Sequence, residues 1–179
     1  MNALIVYGTR GGATKQIADE MAKVFEGQGF TTTVTDAKAS RGIDVGPFDL
    51  VVVGSSVWAN KWKRQATAFL KRNRKVLANK KVALFSSGMA GDDPAHREEA
   101  NQRIVKVAGA FPEIRPLALA YFGGCISFDS PNFMARFMAN MMKKDFEKKG
   151  IDTSKPVDHR DWDAIRKWAA AVAAHAKAK

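Results

Sequence analysis

Short apolar runs alternate along this chain with longer segments whose apolar residues recur at helical spacing. The runs are ALIVY (3–7), TTTVT (31–35), LVVVG (50–54), VALFS (82–86) and LALAYF (117–122). They have strand length and are rich in Val, Leu, Ile and aromatics, and four of the five read as buried on both faces. Between the first two, Ile17, Met21, Val24 and Phe25 fall at i, i+4, i+7 and i+8, and Gly27 and Gly29 follow as a stop. That is one β-α-β unit. Helical spacing returns over 65–76 with Phe69 and Leu70 inward, over 96–111 with Ala100, Ile104, Val107 and Ala108, and over 162–176 with Ile165, Trp168 and Val172. Asp161 precedes the last of these as an N-cap. Strands alternating with helices predict a mostly parallel sheet, because right-handed crossovers lay helices on both of its faces. The expectation is one doubly wound α/β domain over residues 1–179.

Two stretches break the rhythm. Residues 123–160 form a Pro/Gly-bounded appendage with one amphipathic helix over 132–149. Its apolar face holds Phe133, Phe137, Met138, Met141 and Met142, and Lys143, Lys144, Lys148 and Lys149 follow. Such a helix suits either an anionic membrane interface or burial against the sheet edge. The tail AHAKAK is expected to fray.

Composition narrows the partners. The 29 Lys and Arg against 18 Asp and Glu give +11, a surface that draws phosphates, carboxylates or an anionic membrane. This does not make it a nucleic-acid protein. Cys125 is the sole cysteine, which excludes an intramolecular disulfide and a Cys-rich zinc site and suits a reducing cytosol. MNALIVYG lacks a basic start and a long apolar run, so a cytoplasmic protein without a signal peptide or membrane span is expected.

Three strand ends carry candidate chemistry, at the place where doubly wound sheets bind ligands. The first is Thr9-Arg10-Gly11-Gly12-Ala13-Thr14, which leaves a strand and enters a helix. Glycines admit an anion close to the backbone, the helix N-terminus attracts it, and two threonine hydroxyls can donate to a monophosphate. The stretch is neither GxGxxG nor GxxxxGK[ST]. The plain alternative is a structural turn whose threonines cap the helix. The second end runs through Ser56, Val57, Trp58, Ala59, Asn60, Lys61 and Trp62. Its tryptophans either offer a face to a flat ligand or pack against the next helix. The third holds Ser87, Gly88, Met89, Ala90 and Gly91, whose backbone could edge a ring system. There Asp92 or Asp93 before Pro94 also reads as an ordinary helix start. His96, His159 and His175 are scattered, and no Ser/His/Asp or paired-carboxylate constellation is present.

A monophosphate cup, an aromatic loop and a Gly/Ser loop on successive strand ends resemble the contacts of flavin mononucleotide (FMN) in flavodoxins. The resemblance covers the whole chain and implies a flavodoxin-like three-layer sandwich, a five-stranded parallel sheet of order 2-1-3-4-5. Within that group the chain is most similar to the menaquinone-dependent protoporphyrinogen IX dehydrogenase family. The matching pieces are T-R-x-G-x-T at Thr9–Thr14 with Ile17-Ala18, G-x-S-[IV] at Gly54–Val57, Lys61-Trp62, Arg136-Phe137-Met138, Asp152-Thr153-Ser154 and Asp161-Trp162. Ala59-Asn60 departs from it, standing where the family would place Tyr-Gly; Asn tolerates positive φ, but a ring contact from position 59 is lost. Trp58 is the residue that could replace it.

The resemblance implies an FMN enzyme that oxidises protoporphyrinogen IX or a similar flat substrate and passes electrons to a quinone, with the flavin carrying the chemistry. The alternatives are a flavodoxin-type one-electron carrier for a soluble redox partner and a module that has lost its flavin. Lys61, Lys63 and Arg64 favour the enzyme: cations there would stabilise reduced flavin and attract a porphyrin's propionates.

Overall fold

The computed structural model describes residues 1–89, 94–130 and 133–178. In chain order its elements are β1 (Asn2–Gly8), α1 (Ala13–Gly27), β2 (Thr31–Asp36), β3 (Leu50–Trp58), β4 (Lys61–Trp62), α2 (Arg64–Leu77) and β5 (Lys81–Gly88). Then follow α3 (Pro94–Gly109), β6 (Ala118–Gly123), β7 (Cys125–Ile126), α4 (Phe133–Lys148), β8 (Val157–Asp158) and α5 (Trp162–Lys177). The parallel sheet runs β2-β1-β3-β5-β6, which is order 2-1-3-4-5 when the five main strands are counted. β4 pairs antiparallel with the end of β3, and β7 with β8 in a small second sheet.

Two apolar layers sandwich the sheet. Ile5, Leu50, Val52 and Phe85 face α1 and α5, where Ile17, Met21, Phe25, Ile165 and Val172 meet them. Leu4, Val6, Val51, Val53 and Leu84 face α2 and α3 through Phe69, Leu70 and Ile104. Side chains alternate sides along a strand, so β1, β3 and β5 must be apolar at nearly every position to fill both layers. Gly54 is the exception: a Cβ there would lie 2.1 Å from the Phe85 ring.

Three expectations are corrected. Only β1, β3 and β5 are buried along most of their length. LALAYF forms an edge strand with one covered side, and apart from Phe122 its β6 residues are only partly buried. The AHAKAK tail does not fray before Lys177: Ala176 is buried, and the Lys177 ammonium donates to the Gln28 carbonyl and sits over the Phe30 ring. The apolar face of α4 is not one face. Phe133, Phe137 and Met141 are exposed, whereas Ala139 and Phe146 are buried with Phe128 and Val157. Asn132 and the Met138 side chain lie outside the described residues. The Asp161 cap is present, accepting from the Ala164 N–H at 2.9 Å.

Candidate cofactor site

A cavity of about 270 Å³ opens at the carboxyl ends of β1, β3 and β5. It gathers residues from all three expected loops. Thr9, Arg10, Gly11, Ala13 and Thr14 line it from the first, Ser56, Val57, Trp58, Ala59 and Asn60 from the second, and Ser87, Gly88 and Met89 from the third. Ala90 and Gly91 lie outside the described residues, as do Asp92 and Asp93. Gly12, Lys61 and Trp62 are beside the cavity rather than on its wall.

The cup is formed by the entry into α1. Gly12 takes φ 94°, a left-handed turn natural only for glycine, and its N–H donates to Thr9 Oγ1 at 2.9 Å. No side chain caps α1 and no acidic residue stands in its first turn, so the positive end of the helix is left for an external anion. The Thr14 hydroxyl is already shared with Ser87 Oγ at 2.8 Å, both side chains fully buried, so it ties the first loop to the third.

The second loop is a tight hairpin. β3 runs two residues past its parallel neighbours and turns back through Ala59 and Asn60, at φ 46° and 62°, into β4. Positive φ at both turn residues matches a twisted two-residue hairpin. Asn60 accepts this readily, whereas Ala59 is strained by its Cβ. Serines hold the hairpin in place. The Trp62 indole N–H donates to Ser86 Oγ at 2.8 Å, and the Lys63 backbone N–H donates to Ser55 Oγ at 2.9 Å. Trp62 is 8 % exposed within the α2-side core. It therefore positions the loop, and Trp58 presents the aromatic face of this hairpin at the cavity.

The remaining wall comes from beyond β5. Arg103 of α3 reaches it, Tyr121 comes from β6, and Gly124 to Ser127, Ser130 and the α4 residues Ala135, Ala139 and Met142 roof it. Ala135, Ala139 and Met142 share a helical face at i, i+4 and i+7, and the two small alanines let the helix lie close. Arg160 clamps this roof. Its guanidinium meets both Asp158 carboxylate oxygens at 2.8 and 2.6 Å, donates to Gln16 on α1, and stacks 4.5 Å above the Trp162 ring. Paired with Arg160, the Asp158 carboxyl is held below its usual range. Burial, and next the Asp158 charge, push the Cys125 thiol up, so the cavity-wall sulfur stays protonated at neutral pH.

The lining suits a phosphate monoester with a flat apolar body. Among the described lining residues there is no Asp or Glu, while Arg10 and Arg103 are cationic. Ser56 Oγ is buried without a hydrogen-bond partner, the mark of a group that awaits a ligand. The flavodoxin-domain profile matches residues 4–154. The chain belongs to the flavodoxin-domain family. Membership makes it a flavoprotein with FMN as its cofactor. Over 173 residues it is 23% identical to Protoporphyrinogen IX dehydrogenase (quinone) of Escherichia coli (strain K12), covering 97% of this chain and 95% of that protein. Among solved structures, oxidised Flavodoxin 1 from Bacillus cereus superposes with a TM-score of 0.53 at 16% identity, covering 83% of this chain and 98% of that one. The WrbA-like flavodoxin of Agrobacterium tumefaciens gives 0.54 at 15% identity, covering 98% and 97%. These two likenesses establish the fold of this flavodoxin-domain chain. No helix among its described residues is long and apolar enough to cross a membrane.

Proposed function

We propose that this flavoprotein is an oxidoreductase that oxidises protoporphyrinogen IX, or a similar flat anionic substrate, and delivers the electrons to a quinone. The observation that carries the reading is the roof: Gly124 to Ser127, Ser130, Ala135, Ala139 and Met142 add a further wall to the cavity, making a cleft for a flat molecule where a simple carrier needs only an exposed flavin edge. The relative aligned over nearly the full length supports the same substrate class. The FMN phosphate is held by the Thr9–Thr14 cup, with the Thr9 hydroxyl and the uncapped start of α1 as donors. Trp58, with Val57, Ala59 and Asn60, flanks the ring, and Ser56, Ser87, Gly88 and Met89 edge it; Ala90 and Gly91 extend that edge.

When bound, FMN supplies two-electron acceptance from the substrate and its release to the acceptor. The chain's own residues do the rest. Arg10, Arg103 and Lys63 raise the local potential and draw propionates toward the cavity. Burial, then the charges of Arg10 and Lys38, hold the Lys63 ammonium below its usual range, so an anion placed beside it is favoured. Met142 and Ile126 give the roof an apolar inner surface. Cations near the ring also raise the reduction potential of FMN above that of a low-potential carrier; ~30 mV corresponds to about 1.4 kcal/mol. Lys61 lies outside the wall and contributes only through this field.

The exposed side of α4 gives the acceptor a location. Phe133, Phe137 and Met141 are 70%, 53% and 62% exposed beside Lys143, Lys144 and Lys148, an arrangement suited to the anionic cytoplasmic face of a membrane, where quinones reside. Turnover of protoporphyrinogen IX under anaerobic conditions, with and without a soluble menaquinone analogue, tests the reading. Porphyrin formation that depends on the quinone supports it. Flavin that is reduced only by a protein donor, with no porphyrin formed, assigns the chain to one-electron carriers instead. Flotation with anionic liposomes at low salt tests the membrane contact, and failure to float removes it.

A further inference from the structure

A second concavity, of about 420 Å³, lies between the stretch after β2 and the first two turns of α2, separate from the cofactor cavity. Lys38, Arg41, Arg64 and Arg72 line it alongside Ala37 and Ala68, whose small side chains leave it hollow. The sequence builds half of it on one helix face: Arg64, Ala68 and Arg72 stand at i, i+4 and i+8 of α2. No carboxylate lines it, and among the described residues none of these four cations makes an ion pair. The nearby acid, Asp36, has one oxygen taken by the Lys38 backbone N–H at 2.8 Å. The wall is partly fixed: Arg72 donates to Ser40 Oγ at 3.4 Å, and the buried Ser40 hydroxyl donates to the Ala37 carbonyl at 2.9 Å.

Four like charges around one hollow repel each other and gain nothing from folding alone. Guanidinium groups, which make up three of the four, match phosphate oxygens with paired N–H donors. We infer that this groove is a second oxyanion site, taking the phosphate groups of a small ligand that carries at least two negative charges. It shares no residue with the Thr9–Thr14 cup, so a ligand here can bind beside FMN. Lys63 lies in the field of both, since Arg10 of the cavity and Lys38 of the groove each disfavour its charge.

The test is calorimetric titration of inorganic pyrophosphate into the FMN-saturated protein at 50 mM salt. We expect one saturable event, weakened at least tenfold in the double variant Arg41→Glu/Arg72→Glu and about as strong as wild type in Lys75→Glu/Lys167→Glu, which changes net charge equally elsewhere. FMN absorbance and the melting temperature report whether the groove variant is folded, and Arg41→Gln/Arg72→Gln replaces it if it is not. Citrate in place of pyrophosphate separates phosphate from polycarboxylate chemistry. Absence of saturable binding, equal loss in the two charge-matched variants, or citrate binding more tightly than pyrophosphate would overturn the assignment.

Discussion

The cofactor cavity is built from two regions of unequal stiffness. Its base, the ends of β1, β3 and β5, rests on side chains with no exposure, among them Ile17, Phe69 and Phe85. Its roof, the segment after β6, has a separate small cluster of Phe128, Ala139, Phe146 and Val157, each retaining some exposure, and is tied to α1 through Arg160. The base holds its geometry with or without ligand because moving it breaks strand ladders. The contacts that hold the roof include a two-residue strand pair, the His159–Gly124 backbone bond, the small apolar cluster and the Arg160 clamp, fewer than the ladders of the sheet, so it opens at lower free energy than the sheet. A rigid floor under a compliant cover suits the oxidation of a flat substrate proposed above.

Substitutions in the two regions should separate them. Phe85→Ala, fully buried in the base, is expected to cost about 4 kcal/mol of global stability, read as a lower urea midpoint. Arg160→Ala should cost about 2 kcal/mol locally. It would accelerate amide exchange across 124–158 and weaken FMN retention, while exchange in β1, β3 and β5 stays at the wild-type rate. Equal acceleration in both regions would erase the distinction between them. Ala59→Gly should stabilise by about 1 kcal/mol, because glycine relieves the positive φ of the hairpin turn.

The clamp also sets a pH dependence. The folded-state value of Asp158 lies below its unfolded value, so its contribution is present above about pH 4 and lost as pH falls through the folded value. Near-ultraviolet circular dichroism between pH 5 and pH 2.5 should show an acid transition that Asp158→Asn removes. This is the smallest effect of the set, since the Asp158 side chain is 37% exposed and solvent screens it.

The two regions differed as much in how far the sequence revealed them. The five main strands and four of the helices could be read from apolar and β-branched spacing, most plainly β1, β3 and β5, because a strand covered on both faces is apolar at nearly every position. The three loops followed from glycines, hydroxyls and, in the second, tryptophans at strand ends. Trp62 was harder: an indole on a loop looks like a ring contact, and only its bond to Ser86, a tertiary fact, turns it inward. The roof was least legible. Its helix could be seen, but α4 has apolar residues on opposed faces, so periodicity alone could not decide which side was buried. Tyr121, Ser127, Ser130 and Ala135 carry no motif, and reach the cavity only through the fold.

Hydrogen exchange of the apoprotein before and after FMN addition bears most directly on the claim that floor and roof together form one flavin cavity. Protection should rise in residues 9–14, 56–60 and 87–89 and also in 121–130 and 135–142. Protection confined to the first three segments, with the roof exchanging as fast as in the apoprotein, would contradict it.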